Sequence, residues 1–495
     1  MKELQLIEIL KTFDKEELKS LKKFIISPFL KSPRNTENLF DYLITFHPDF
    51  DSPNLSKENV FKKLFPGGEF SDKKLNNFIF DLSKTIEDFI AYDTFKSDEV
   101  EYLLSLSKGF LNRKLTKNSM RVNKLIEKKL SPGFSPHKDF VSKFKRLTNY
   151  KSTYFIEDSD FENLLEGSKN YFEVASLQFI IDYSEIKQAK NSAATTYGKK
   201  LSNVFIESLF ESFDIEKLIK LLEKSDYAYT PLVEVYFYKF KTIEEPEVTD
   251  YYYKLKENFI KILPMLDREE RCNLFNYIAT YCSLKVIKKN PDFIKEGLEN
   301  YKSMVENNAY SVSENEDMQI LTYRNIFLYC VNIGEIIWLK EFIEKYTDKL
   351  NPEYRDDMRN LAYANLYFVK KEFEKALVYI SKINQEFFLL KTDVKTLLLF
   401  IYYELSYFEQ AYSLIDTFKH FLTNTKEISD THKEFFNNFV KYYFGILKIK
   451  SGQSKDDASF YFKKLEKEKN IVCKNWLLEK VSELSKNKTL NKFEN

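Results

Sequence analysis

The chain has 495 residues, with 76 Lys+Arg against 75 Asp+Glu for a formal net charge of +1, and only 10 Gly and 12 Pro beside 46 Phe and 33 Tyr. Apolar residues make up 43%, enough for a sizeable core, so a wholly disordered chain is excluded, and balanced charge gives no global attraction to nucleic acid or an anionic membrane. Scarce Gly and Pro argue against a many-turned all-β architecture, because tight turns need residues that tolerate or pre-set unusual φ; an all-α fold is expected.

The stretch from Met1 to Lys11 meets a charged residue every few positions. It therefore has no apolar run of the kind a secretory signal requires, and the mature chain is expected to start at Met1. Residues 1–95 read as a distinct N-terminal helical module, with helices near 15–26, 36–46, 56–65 and 71–92. Asp14 with Glu17 forms a capping-box pattern, and Ser71 is placed to cap the last helix. In that helix Leu75, Phe78, Ile79, Leu82, Ile86, Phe89 and Ile90 form one apolar stripe. Asp72, Asn76, Asn77, Asp81, Glu87 and Asp88 are expected on its exposed face, against Lys73, Lys74 and Lys84. The segment from Leu55 through the Leu75 helix, a helix, a tight turn at Gly67-Gly68 and a longer helix, resembles the helical part of winged-helix DNA-binding domains. The acidic face opposes that use, because a recognition helix must approach phosphates. With Ser27-Pro28-Phe29-Leu30-Lys31-Ser32-Pro33 before it, the segment also resembles the start of a family of long helical bacterial proteins; that resemblance implies a fold and a cytoplasmic location, and no activity.

Residues 96–240 read as a helical region containing a basic segment, 108–151, with 13 Lys or Arg against Glu127 and Asp139 only. Arg113, Lys117, Arg121, Lys124 and Lys128 would share one face of an uninterrupted helix. Docking to an acidic partner, RNA, DNA or an acidic protein surface, is one reading. Pairing with acidic faces of the same chain, such as Asp158, Asp160, Glu162 and Glu166, is the other. No proline falls between Pro136 and Pro231 or after Pro352, so long helices can continue there. Prolines at 136, 231, 291 and 352 follow Ser135, Thr230, Asn290 and Asn351, the pattern of a cap before a first-turn proline. Residues 226–230 and 242–250 are the expected linkers.

Residues 250–485 read as successive helix pairs, followed by a polar tail at 486–495. Ala364, Tyr367, Phe373 and Ala376 occupy the small, aromatic, aromatic and small positions of a motif that returns 35 residues later as Leu399, Tyr402, Phe408 and Ala411. The stretch 355–423 resembles tetratricopeptide repeats. Gly334 with Leu339 and Ile343 suggests a pair upstream, and Ala458 with Phe462 one downstream, at irregular intervals. The resemblance implies an α-α superhelix whose first helices line a concave surface, with Asn365, Phe368, Phe400 and Tyr403 facing a peptide groove. The basic residues of the carboxylate-clamp version are missing from the aligned positions, so an apolar or aromatic-anchored segment is the expected ligand.

Enzyme motifs are sparse: there is no Gly-rich phosphate loop, no G-x-S-x-G and no H-E-x-x-H. Cys272, Cys282, Cys330 and Cys473 show no C-x-x-C pairing and are expected to be buried and reduced. His47, His137, His420 and His432 are too scattered for a zinc site, and no metal or cofactor is expected. The most apolar window, from Phe387 to Tyr403, is cut by Lys391, Asp393 and Lys395, so no membrane span is expected. The leading expectation is therefore a cytoplasmic, non-enzymatic scaffold or adaptor that binds another polypeptide. A nucleic-acid-binding regulator with a helical-repeat sensor and an all-helical enzyme are the alternatives.

Overall fold

The computed structural model describes the chain apart from residues 1–3, 30–32, 131–137, 198, 202, 288–289, 315, 385–387, 426–429, 455–456 and 494–495. Every regular element among the described residues is helical, with no strand, and the chain divides into two compact units, Met1–Leu255 and Lys256–Asn495.

The first unit begins with helices Gln5–Lys11, Lys15–Ile25, Glu37–Ile44 and Lys57–Leu64 gathered on the long helix Asp72–Ser97. Asp14 accepts from the amides of Glu16 and Glu17 while Glu17 bonds back to the Asp14 amide, a complete capping box, and Ser71 accepts from the Lys74 amide. Leu75, Ile79, Leu82, Ile86 and Phe89 join Leu10, Leu21, Phe40, Leu43 and Phe61 in one apolar core. Two expectations fail on this helix. Ile90 is exposed, and Asp81 is buried, because Arg34 from the preceding loop donates to Asp81 Oδ2 at 2.7 Å. The helix–turn–helix arrangement of residues 57–97 is present, with no strand among the described residues to form a wing.

Next come Glu99–Leu111, Thr116–Leu130 and Lys138–Glu157, which pack around Leu104, Val122, Ile126 and Leu147. Ser107, Ser119 and Asn123 are buried in the same contact, and Ser107 Oγ lies 2.7 Å from both Ser119 Oγ and Asn123 Oδ1. The proline-free stretch forms Phe161–Tyr197, 37 residues long and so about 55 Å. It packs on Thr230–Glu244, where Leu232, Val233, Val235, Tyr236, Phe237, Tyr238 and Phe240 are all buried. A helix apolar on every side belongs inside a core. Within the expected linker at 242–250 only residues 245–248 form a turn: Thr242 to Glu244 end the Thr230–Glu244 helix, and Thr249–Ile262 starts directly after the turn. Thr230 starts its helix without a side-chain cap, the Asp292–Glu306 helix is capped by Pro291 without one, and Asn351 holds a turn by accepting from the Glu353 amide before Arg355–Val369 begins. Ser135 and Pro136 lie outside the described residues.

In the second unit, Arg268–Ile287 packs on Asp292–Glu306, and then come the pairs Ile320–Ile333 with Ile336–Tyr346, Arg355–Val369 with Phe373–Ile380, Phe388–Glu404 with Phe408–Asn424, and Asp430–Lys450 with Ala458–Lys467. First helices also touch across pairs: Ile320–Ile333 on Arg355–Val369, and the latter on Phe388–Glu404. The final helix, Lys474–Phe493, packs on Asp430–Lys450 and takes up most of the stretch read as a polar tail.

One local device ends the first helix of all four pairs. Gly334, Lys371, Ser406 and Gly452 have φ of 83°, 60°, 57° and 77°. The following amides of Glu335, Glu372, Tyr407 and Gln453 donate back to the carbonyls of Cys330, Tyr367, Tyr402 and Lys448 at 2.9–3.0 Å. This left-handed cap satisfies carbonyls that the helix end leaves open. Small residues then let the helices approach: Ala364, Ala376, Ala411 and Ala458 are fully buried. At Gly297 and Gly445 the approach is closer still, since an added Cβ would stand 2.3 Å from the rings of Tyr329 and Tyr461 respectively.

Candidate functional site

Two regions hold the residues singled out by the sequence, one in each unit. In the second unit, Phe368, Phe400 and Tyr403 come together through ring contacts. Phe368 lies 5.8 Å from Phe400, and Phe400 stacks on Trp476 of the final helix at 4.2 Å. Tyr403 meets the same indole edge-on at 5.2 Å. Asn365 is half-buried, and its side-chain amide donates to the Leu361 carbonyl one turn back, so it is engaged within its own helix.

Tyr403 departs from the expected groove position. It is only 2% exposed, covered by Trp476 and Tyr443, and burial raises its phenol above the ordinary range. The cause is tertiary: the final helix lies against this face. Its Lys480 ammonium ion-pairs with Glu404 at 2.9 Å and Glu483 at 3.0 Å. Burial pushes the Lys480 pKa down, but these carboxylates outweigh it and hold the group above the usual lysine range. Along the same Phe388–Glu404 helix, Arg324 of Ile320–Ile333 makes a two-pronged ion pair with Asp393. Sequence reasoning missed Trp476, Lys480 and the Arg324–Asp393 pair. One of only two tryptophans was the available signal for the first; nothing local marks the others.

In the first unit the basic segment splits into two populations. Lys129, Lys143, Arg146 and Lys151 pair with Glu99, Asp98, Glu101 and Glu127 at 2.5–2.8 Å. Internal pairing is therefore real, but its acids lie upstream of or within the segment, in place of the downstream group at 158–166. Lys117, Arg121, Lys124 and Lys128 are exposed on Thr116–Leu130 and make no ion pair among the described residues. Arg113 does not join them. The preceding helix stops at Leu111, Lys114 takes φ of 61°, and Arg113 donates to the Gly109 carbonyl at 2.9 Å. The chain turns where an uninterrupted helix was expected.

Arginine use sharpens the contrast. Arg34, Arg146, Arg324 and Arg359 hold carboxylates, Arg113, Arg271 and Arg355 hold main-chain carbonyls, and Arg268 bonds Ser311. Arg121 is the one arginine without such a partner among the described residues. Cys272, Cys282 and Cys330 are buried, and Cys473 is exposed. No group of three or more His, Cys, Asp or Glu is placed to hold a metal ion, and no helix is long and apolar enough to cross a membrane, among the described residues. No family model, curated protein or solved structure matches the chain.

Proposed function

We propose that the chain is a non-enzymatic scaffold or adaptor that binds a polypeptide segment on a tetratricopeptide-like α-α superhelix formed by its second unit. The observation that carries this reading is the repeated construction between residues 320 and 467. Four helix pairs turn through the same left-handed cap, three bury alanine at their helix contacts, and the first helices of the upstream three stack on one another. Stacked pairs of this kind expose long continuous surfaces suited to an extended or helical ligand. Phe368 and Phe400 supply aromatic anchors on the first helices, flanked by Trp476.

Affinity purification of the full chain from its producing cells, with nuclease treatment, tests the proposal. The expected outcome is a recurrent protein partner that survives nuclease and is lost with Phe368→Ala, while the variant keeps its helical circular dichroism. Recovery of nucleic acid alone, or of the same partner with Phe368→Ala, contradicts it.

A second reading rests on the exposed Lys117, Arg121, Lys124 and Lys128 face. It makes the chain a nucleic-acid-binding regulator and predicts salt-dependent retention of duplex DNA or RNA, weakened by Lys117→Glu/Arg121→Glu. No retention at low salt removes it.

A further inference from the structure

Between Asp430–Lys450 and Ala458–Lys467 lies a cleft of about 750 Å³, inside the range of about 300–1,000 Å³ common for ligand-holding clefts. Among the described residues Lys441, Lys448, Lys464 and Lys467 line it against one carboxylate, Glu468, and that carboxylate already accepts from the Tyr442 hydroxyl at 3.4 Å. None of the four lysines makes an ion pair among the described residues. Elsewhere this chain pairs its interhelical lysines readily, as at Lys143, Lys151, Lys256 and Lys480. Four like charges left together in one concavity repel one another. An anionic ligand removes that cost.

The rings in the cleft narrow the ligand class. Lys448 Nζ stands 4.3 Å from the Phe444 ring centre and Lys464 Nζ 4.1 Å from that of Phe460. Each ammonium thus occupies one face of its ring and leaves less of it for a nucleobase to stack on. No arginine lines the cleft among the described residues, so the forked donor suited to phosphate is missing there as well. What remains is a set of point cations beside apolar ring edges, with Phe460 53% exposed. The Tyr461 ring and its hydroxyl pack directly on Gly445, where there is no side chain, so this ring forms part of the cleft wall.

We propose that this cleft docks an acidic polypeptide segment whose carboxylates meet the lysines and whose apolar side chains meet Phe444 and Phe460. The proposal rests on the reading of the chain as a polypeptide binder and supplies the chemistry of its ligand. A short fluorescein-labelled peptide of alternating glutamate and leucine, titrated with the full chain and followed by anisotropy, tests it. A lysine–leucine peptide and an oligothymidylate serve as the other arms. The glutamate peptide is expected to bind, to weaken as salt rises, and to lose affinity on the order of tenfold or more with Lys448→Glu/Lys464→Glu, while Lys117→Glu/Arg121→Glu leaves it unchanged. Both charge-reversal variants lie on exposed or half-exposed positions; an unchanged urea midpoint verifies their folding, read by tryptophan fluorescence for Lys448→Glu/Lys464→Glu and by far-ultraviolet circular dichroism for Lys117→Glu/Arg121→Glu. Absence of binding, equal loss with the 117/121 variant, or tighter binding of oligothymidylate to the same lysines overturns the proposal. A cellular protein partner still recovered with Lys448→Glu/Lys464→Glu overturns this cleft alone and leaves polypeptide binding standing.

Discussion

Replacing Gly297 with alanine sets two opposing effects against each other. In a helix interior alanine is favoured over glycine by about 1 kcal/mol. The new Cβ, however, would stand 2.3 Å from one Tyr329 ring carbon and 3.0 Å from the next, inside any van der Waals separation. The ring cannot swing away freely, because its hydroxyl bonds Ser283 at 2.9 Å and its edge packs on Tyr301 at 5.4 Å. Overpacking of this kind costs about 1–3 kcal/mol, so Gly297→Ala is expected to destabilise by up to about 2 kcal/mol once the propensity gain is subtracted. In a Tyr329→Ala background the clash vanishes and the same change should stabilise by about 1 kcal/mol. Both tryptophans, Trp338 and Trp476, lie in the second unit, so urea unfolding followed by tryptophan fluorescence reads that unit selectively. The double-mutant cycle should show a coupling of about 1–3 kcal/mol. Equal stabilisation in both backgrounds would refute the close approach of these two helices.

Lys371→Gly and Ser406→Gly should each stabilise the second unit by about 0.5–1 kcal/mol, since a side chain in the left-handed region is strained and glycine is not, while Gly334→Ala and Gly452→Ala should destabilise by about 1 kcal/mol; the same fluorescence assay reads all four. Arg34→Ala should cost about 2–3 kcal/mol because it strands the buried Asp81 carboxylate, and Arg34→Ala/Asp81→Leu should recover most of it in far-ultraviolet circular dichroism melts. Burial pushes the Asp98 carboxyl up, but the Lys143 ammonium and the Glu101 and Val100 amides outweigh it and hold the pKa below the ordinary carboxylate range. The stability this contributes is present above the unfolded-state value, about 3.9, and is lost as pH falls through the lower folded value. Asp98→Asn, which keeps the helix cap, should therefore be less stable than wild type at neutral pH, with the gap closing in acid; a constant gap across the titration contradicts this origin.

What the sequence made legible was local. The Asp14 capping box, the Ser71 cap and the stripe from Leu75 to Phe89 are set by residues within a few turns of one another, and the structure places them as expected. Ala364, Ala376, Leu399 and Ala411 were readable as contact positions for the same reason, because the motif lies within a single pair of helices. Asp81 was misplaced because its partner, Arg34, lies 47 residues away and leaves no periodic signature. The run from Arg113 to Lys128 looked continuous because Lys114 carries no turn signal, yet it adopts positive φ. Lys371 and Ser406 carry no signal either: each adopts positive φ and is followed by the same amide-to-carbonyl closure as Gly334, but the residue type that would announce it is absent. Tyr403 was assigned to an open groove because nothing in its own repeat indicates that Trp476 and Lys480 arrive from the final helix. The lysine cleft was hidden in the arithmetic of a near-neutral chain. Lys441 and Lys448 belong to one helix and Lys464 and Lys467 to the next, and only the pairing of those helices gathers them.

Hydrogen–deuterium exchange of the full chain, with and without the protein that co-purifies with it, tests polypeptide binding by the second unit most directly. Slowed exchange should fall on helices between residues 320 and 467 and be strongest at Asp430–Lys450 and Ala458–Lys467. Protection confined to Thr116–Leu130, or none anywhere in the second unit, would contradict the account.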